Sequence, residues 1–147
     1  MNRGPEFDSL YMFPPLLEAC CLVIGRSFKL SSLHARTVRP CTPAQDLHVD
    51  VQRDSADWPL LDFILTVDEF RPDNGPTRFV PGSHRWPGTP ADSISALRAA
   101  NTSSDPRRSL QGAFIPRDGR AGTDFAAGMQ PETRARLGPL ARQVLAL

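Results

Sequence analysis

Two residues in the segment Gln45–Asp50 (QDLHVD) have side-chain types and a spacing suited to metal chemistry. The neighbouring residues predict a strand over 47–52, in which residues two apart project to the same face, so His48 and Asp50 point the same way. An imidazole and a carboxylate placed like this can hold two neighbouring positions of a six-coordinate ion. One more histidine would complete the two-histidine, one-carboxylate arrangement that leaves three positions open. Taken alone, the pattern is also explained by a surface His–Asp pair on an edge strand.

The elements that must position these side chains are mostly short strands. Strand character is predicted for five segments: 27–39, 47–52, 60–70, 77–80 and 110–115. The run Leu61–Val67 is almost continuously apolar, so we expect it to be buried on both faces. Many short strands with little helix favour a mainly β protein, an antiparallel jelly roll, over an alternating βαβ sheet.

Helices are predicted to flank these strands. Pro15 suits the first turn of a helix over 16–24 that ends at Gly25, with Cys20 and Cys21 as small apolar core residues. Residues 1–15 are expected to form an extended lead-in, residues 16–130 the main domain, and residues 131–147 a C-terminal helix. Pro139 predicts a kink in that helix or its division into two.

The composition excludes several classes of protein. A formal net charge of +1 removes any case for nucleic-acid binding from bulk electrostatics. The longest apolar run is too short to span a bilayer, and residues 1–15 lack the pattern of a secretion signal. We therefore expect a cytoplasmic protein without membrane contact, in which the three cysteines are reduced.

A second motif, FRPDNGPTRFVPGSHRW over residues 70–86, changes the interpretation of His48 and Asp50. Here the sequence resembles the phytanoyl-CoA dioxygenase family, the Fe(II)/2-oxoglutarate oxygenases that carry a His-x-Asp motif on a jelly-roll strand. The resemblance implies a double-stranded β-helix (jelly roll, cupin-like) that binds Fe(II) and 2-oxoglutarate and hydroxylates a small organic substrate. It also implies that His48 and Asp50 are metal ligands and that His84 is a turn residue.

The resemblance extends to ANTSSDPRRSLQGAF, residues 100–114, and implies a cosubstrate site. In the family an arginine of this segment clamps the distal carboxylate of 2-oxoglutarate, and Arg107 occupies the matching position, with Arg108 as the alternative. Gln45 and Thr77 match positions that touch the cosubstrate in some relatives. For both residues, a purely structural role in a turn or strand is an equal alternative.

One departure from the family pattern concerns the second metal histidine. The family places it about eleven residues before the arginine, and that position holds Ala96 here; no histidine follows His84. The interval between Trp86 and Asn101 is also short for the family, so an internal deletion is expected to have removed a strand together with this ligand. The resulting incomplete jelly roll would expose a sheet edge that favours self-association.

Two classes of function therefore remain open. The first is a working dioxygenase that acts on a small molecule, with iron and 2-oxoglutarate as cofactors. The second is a truncated, catalytically silent remnant of such an enzyme that survives as a binding module. The absent histidine is the sequence feature that separates them, because two protein ligands form a poor cage for Fe(II).

Overall fold

The computed structural model describes residues 2, 4–46, 48, 60–82 and 96–147. The chain divides into two compact units. The first comprises Met1–Leu33, Asp57–Phe63 and Gly112–Leu147, and the second comprises His34–Ala56 and Ile64–Gln111.

Strands and helices alternate little along the described chain. The strands are β1 (Phe28–Val38), β2 (Leu61–Thr66), β3 (Thr77–Phe79), β4 (Ala96–Arg98) and β5 (Arg107–Pro116). The helices are a 3-10 turn (Pro5–Phe7), α1 (Asp8–Tyr11), α2 (Pro14–Ile24), α3 (Phe125–Gly128), α4 (Pro131–Arg136) and α5 (Pro139–Val144). The strand predicted over 47–52 lies outside the described residues, apart from His48.

The predicted extended lead-in is wrong for residues 5–11, which are helical. The physical reason is a tertiary contact. Tyr11 is fully buried, its hydroxyl donates a 2.7 Å hydrogen bond to Asp8, and Arg136 of α4 forms an ion pair with the same carboxylate. These contacts hold the segment against the C-terminal helices, which local sequence patterns do not reveal.

The predicted helix over 16–24 is confirmed, beginning two residues earlier. It ends at Gly25, whose φ of 68° is the left-handed conformation that glycine adopts without strain. Cys20 and Ile24 are buried, and burial raises the pKa of the Cys20 thiol to about 11. Cys21, expected in the core, is exposed.

The stretch Pro5–Ile24 is long and apolar enough to cross a membrane by length and composition alone, with a mean hydropathy of 1.4. It is interrupted at Met12 and Phe13, between α1 and α2. Three of its side chains, those of Tyr11, Cys20 and Ile24, belong to the hydrophobic core.

The core of the first unit is formed by α1, α2, β1, β5 and the C-terminal helices. Its buried members are Tyr11, Cys20, Ile24, Leu30, Phe114, Leu137, Ala141, Val144 and Leu145. Phe114 lies at its centre, with the ring of Phe28 5.6 Å away in an edge-on arrangement and the ring of Phe63 at 5.9 Å. The division of the C-terminal helix at Pro139 is confirmed by α4 and α5.

Three strands form a sheet in the order β1-β5-β2. The start of β1 meets the end of β5, where the Arg117 N–H donates to the Ser27 carbonyl, and the end of β2 meets the start of β5, where the Val67 N–H donates to the Arg108 carbonyl. Neighbouring strands therefore run in opposite directions.

The expected burial of Leu61–Val67 on both faces is wrong. Among the described strands β2 is an outer one of this sheet, and none of its residues is fully buried. Leu65 is 39% exposed and Val67 is 53% exposed. An apolar run predicts a strand, but only the strand order decides how much of it is covered.

Candidate cosubstrate and metal site

The first half of β5 presents a polar face. Residues two apart on a strand share a face, so Arg107, Ser109 and Gln111 point to one side and Arg108 points to the other. Arg107 is 0% exposed and Ser109 is 2% exposed, although both are polar. Such residues are rarely buried unless a partner satisfies them.

In the described part of the chain, neither side chain has a hydrogen-bond partner. All three guanidinium nitrogen atoms of Arg107 and the hydroxyl oxygen of Ser109 are buried and make no hydrogen bond there. Five N–H donors without acceptors carry a large desolvation cost, which a native site tolerates where a ligand supplies the acceptors. Burial is also the largest cause that lowers the pKa of Arg107.

Phe70 fixes the orientation of Arg107. The guanidinium carbon lies 3.9 Å from the centre of the Phe70 ring. Stacking on the ring face uses none of the N–H donors, which lie in the guanidinium plane. The ring therefore holds the cation in place while its donors stay available for a planar anion such as a carboxylate.

Asn101 shapes the turn that leads into Arg107. Its side chain is buried, and its amide nitrogen donates to the carbonyl oxygens of Val38, at 3.1 Å, and Asp105, at 2.8 Å. Its amide oxygen accepts from the backbone N–H and the hydroxyl of Ser103. Asn101 thus ties the end of β1 to the residues just before β5.

The Asn74–Gly75 pair of the second sequence motif supports the same turn. Asn74 is buried and forms a bridge with Asn101. Gly75 adopts a φ of +77°, and a Cβ atom there would lie 3.0 Å from Val38 Cγ1 and 3.1 Å from the Ala99 carbonyl oxygen. Only glycine fits this combination of backbone conformation and close approach without strain.

Arg98 connects the predicted cosubstrate residues. In the antiparallel β3–β4 pair it lies directly opposite Thr77, so both side chains share a face. Its carbonyl oxygen accepts a 2.8 Å hydrogen bond from the Gln45 N–H. Its guanidinium is close enough to lower the pKa of Arg107 by charge repulsion. The backbone of Arg98 therefore pairs with Gln45 and Thr77, and its charge acts on Arg107.

His48 is half-buried beside Gln45. Its Nδ1 atom lies 2.8 Å from the carbonyl oxygen of Asp46, a contact that needs a proton on Nδ1. In the tautomer with the proton on Nδ1, Nε2 carries a lone pair, and the Gln45 amide nitrogen lies 3.4 Å from that atom. A carbonyl that fixes the tautomer in this way is the usual support of a metal-binding histidine.

The described residues do not assemble a complete metal site. No group of three or more His, Cys, Asp or Glu side chains that could hold an ion occurs among them. Asp50 and His84 lie outside the described residues. For the cosubstrate, in contrast, the orphaned donors of Arg107 and Ser109 fit a carboxylate.

Arg108, the alternative to Arg107, has a different role. Its guanidinium donates two hydrogen bonds to Asp68, at 2.9 Å from Nε to Oδ2 and 2.7 Å from Nη2 to Oδ1, and its backbone N–H donates to the same carboxylate at 2.7 Å. Arg108 is thus engaged with a carboxylate of the protein on the strand face opposite to Arg107.

This contact predicts a pH dependence. The hydrogen bonds from Arg108 lower the pKa of Asp68 to about 2, from 3.8. Because the folded-state pKa is depressed, the stabilisation is present above about pH 4 and is lost as the pH falls towards 2. In urea unfolding, Asp68→Asn should be less stable than the parent at pH 6, and the difference should shrink between pH 4 and pH 2. A difference that stays constant over that range would contradict this assignment.

Sequence reasoning missed two residues of the site. Ser109 could have been found from the sequence, since its spacing of two from Arg107 places both residues on one strand face. Arg98 could not have been found in this way, because its position depends on the pairing of β4 with β3 and its relevance depends on its charge effect on Arg107.

The comparison with protein families identifies the family of this chain. Residues 15–123 match the model of the phytanoyl-CoA dioxygenase (PhyH) family. The iron/alpha-ketoglutarate-dependent dioxygenase okaE of Penicillium ochrochloron is 38% identical over 109 residues, covering 65% of this chain and 36% of okaE. The chain belongs to the phytanoyl-CoA dioxygenase family. It spans about a third or less of the length of the curated relatives it matches.

Solved structures show the same fold. HygX from Streptomyces hygroscopicus, with nickel and 2-oxoglutarate bound, matches with a TM-score of 0.62 and 11% identity over 80% of this chain and 70% of HygX. The non-haem alpha-ketoglutarate-dependent carbocyclase SnoK of nogalamycin biosynthesis matches with a TM-score of 0.63 and 17% identity, over 93% of this chain and 68% of SnoK. The mixed sheet and helix seen here are therefore those of the 2-oxoglutarate oxygenase fold.

Proposed function

We propose that this chain is the 2-oxoglutarate-binding part of a non-haem Fe(II) dioxygenase that hydroxylates a small organic substrate. The observation that carries the proposal is the fully buried guanidinium of Arg107, whose donors have no partner in the described part of the chain. A cation in that state needs an anion, and the family membership supplies one by chemical class, the distal carboxylate of 2-oxoglutarate.

The cosubstrate contacts follow from the face of β5. Arg107 donates in-plane hydrogen bonds to both carboxylate oxygens, and the Ser109 hydroxyl donates to one of them. Phe70 keeps the guanidinium in the orientation that this geometry requires. Gln45 and Thr77, which Arg98 joins through its backbone, border the same space.

For the metal, we propose His48 through Nε2, together with Asp50. Bound Fe(II) supplies oxygen activation coupled to the decarboxylation of 2-oxoglutarate to succinate and carbon dioxide. In the described state the Gln45 amide donates to the same Nε2 lone pair that an ion would use. Metal binding therefore requires the Gln45 amide to withdraw from His48.

A second candidate function is a silent binding module, in which an incomplete double-stranded β-helix keeps the anion site without turnover. The observation that favours it is the absence of any histidine after His84, with Ala96 at the position of the family's second metal histidine. Such a module would bind 2-oxoglutarate through Arg107 and hold iron poorly, since it lacks a third protein ligand.

Anaerobic titration with Fe(II) and 2-oxoglutarate separates the two functions. A dioxygenase should develop the visible charge-transfer band of a chelated 2-oxo acid, and Asp50→Ala should abolish it. Glu69→Ala, which removes an exposed carboxylate from the same unit, should leave the band unchanged.

Admission of oxygen completes the experiment. Succinate formation in the parent and its loss in Asp50→Ala would establish turnover. A folded chain that binds 2-oxoglutarate but gives neither band nor succinate would identify the silent module. Failure to bind 2-oxoglutarate at all would refute both functions.

A further inference from the structure

Three arginines converge in the second unit with little opposing charge. Arg98 and Arg36 both lower the pKa of Arg107 by repulsion, and Arg36 acts in the same way on Arg98. Among the described residues, Asp68 is the one carboxylate that raises the pKa of Arg107. That carboxylate already accepts hydrogen bonds from Nε and Nη2 of Arg108. The site therefore has more positive charge than one carboxylate neutralises.

The strand geometry places Arg36 on the side of the buried Arg107. Arg36, on β1, donates a 3.1 Å hydrogen bond from its Nη1 atom to Oε1 of Gln111. Gln111 shares the face of β5 that carries Arg107. Arg98 shares its face of the β3–β4 pair with Thr77. Among the described residues, its guanidinium makes one hydrogen bond, to the Ala99 carbonyl, which is long at 3.5 Å. Arg98 thus keeps most of its donor capacity.

We propose that Arg98, assisted by Arg36, is a second carboxylate-binding position beside Arg107, so that the chain binds a five-carbon dicarboxylate at both ends without a metal ion. The inference rests on the proposed role of Arg107 and extends it. In a complete enzyme of this class, the metal holds the end of the cosubstrate that Arg107 does not. With Ala96 at the position of the second metal histidine, a cation two residues further along β4 supplies charge for that end.

Calorimetry in the presence of EDTA tests this position directly. Glutarate carries two carboxylates, and pentanoate has the same chain length with one. The full chain should bind glutarate about tenfold more tightly than pentanoate, the effect of one additional charge-assisted hydrogen bond. Arg98→Gln should remove that preference and leave the affinity for pentanoate unchanged, whereas Arg98→Lys should retain part of it.

Arg78→Gln is the matched control. Arg78 is exposed on β3 and pairs with Leu97, so it lies on the face opposite to Thr77 and Arg98. The Arg78→Gln variant removes one positive charge, as Arg98→Gln does, and at constant ionic strength it should change neither the glutarate nor the pentanoate affinity.

The outcomes separate this inference from the proposed function. Equal binding of glutarate and pentanoate, both abolished by Arg107→Met, would overturn the second position and support the role of Arg107. An equal loss of both affinities in Arg98→Gln would also overturn it, because Arg98 would then act on the Arg107 position as a whole. Binding of neither ligand would refute both proposals.

Discussion

Replacing Arg107 by methionine is expected to abolish 2-oxoglutarate binding and, at the same time, to stabilise the ligand-free chain. The affinity should fall at least about 30-fold, because the ligand loses the partner of a buried charge. The free chain should gain about 1–3 kcal/mol, since the variant removes buried donors that have no partner among the described residues. Methionine can keep the packing against Phe70 through its polarisable sulfur.

The opposite signs of these two effects distinguish a ligand-binding arginine from a structural one. Thermal unfolding without ligand should show a higher midpoint, by about 2–4 °C for each kcal/mol in a chain of this size. Calorimetry should show the lost affinity. Arg108→Met is the neighbouring control, which loses the ion pair with Asp68 and should be slightly less stable, with 2-oxoglutarate affinity unchanged. A destabilised Arg107→Met that still binds 2-oxoglutarate would assign Arg107 to the fold.

The largest loss of stability is expected for Gly112→Ala, on the other face of β5. A Cβ atom there would lie 2.6 Å from two ring carbons of Phe63 and 2.7 Å from the backbone oxygen of Ser32. The ring can move, but the strand carbonyl cannot do so without disturbing the sheet. Overpacking of this kind should cost about 3 kcal/mol. Circular dichroism should show a midpoint about 6–12 °C lower.

Two further variants test the cause of that loss. Gly128→Ala adds a Cβ atom that meets nothing within 4 Å, and it should be neutral or slightly stabilising. Adding Phe63→Leu to Gly112→Ala should recover only part of the loss, because the clash with Ser32 remains. Full recovery would show that the clash with the Phe63 ring alone causes the loss of stability. An unchanged midpoint in Gly112→Ala would contradict the close approach of Gly112 to both neighbours.

The Arg107→Met and Gly112→Ala predictions both concern β5, because this strand has a polar first half and an apolar second half. Its first residues carry the proposed carboxylate site, where the buried donors of Arg107 have no hydrogen-bond partner among the described residues. Its later residues pack Phe114 into the core of the first unit. The favourable packing of these later residues therefore offsets the unfavourable free energy of burying Arg107 in the same strand. Binding sites commonly hold unfavourable interactions that are compensated elsewhere in the fold.

The sequence by itself determined the local features of this protein. Strand and helix periodicity placed β1, β3 and α2 within one or two residues, and Pro139 predicted the division between α4 and α5. The strand predicted over 110–115 is confirmed but begins earlier, at Arg107. The role of Arg107 in binding the cosubstrate, which the family motifs imply, stays a prediction. Asp50 and His84 stay predictions, since they lie outside the described residues.

The tertiary structure alone decided which side chains meet and which stay without a partner. Burial of Tyr11 made the lead-in helical, the outer position of β2 exposed Leu65, and the pairing of β4 with β3 brought Arg98 beside Thr77. The lack of a hydrogen-bond partner for Arg107 among the described residues likewise depends on all the side chains around it. Local patterns encode a backbone conformation, whereas burial, charge convergence and unsatisfied donors depend on residues distant in the chain, and these define the candidate site.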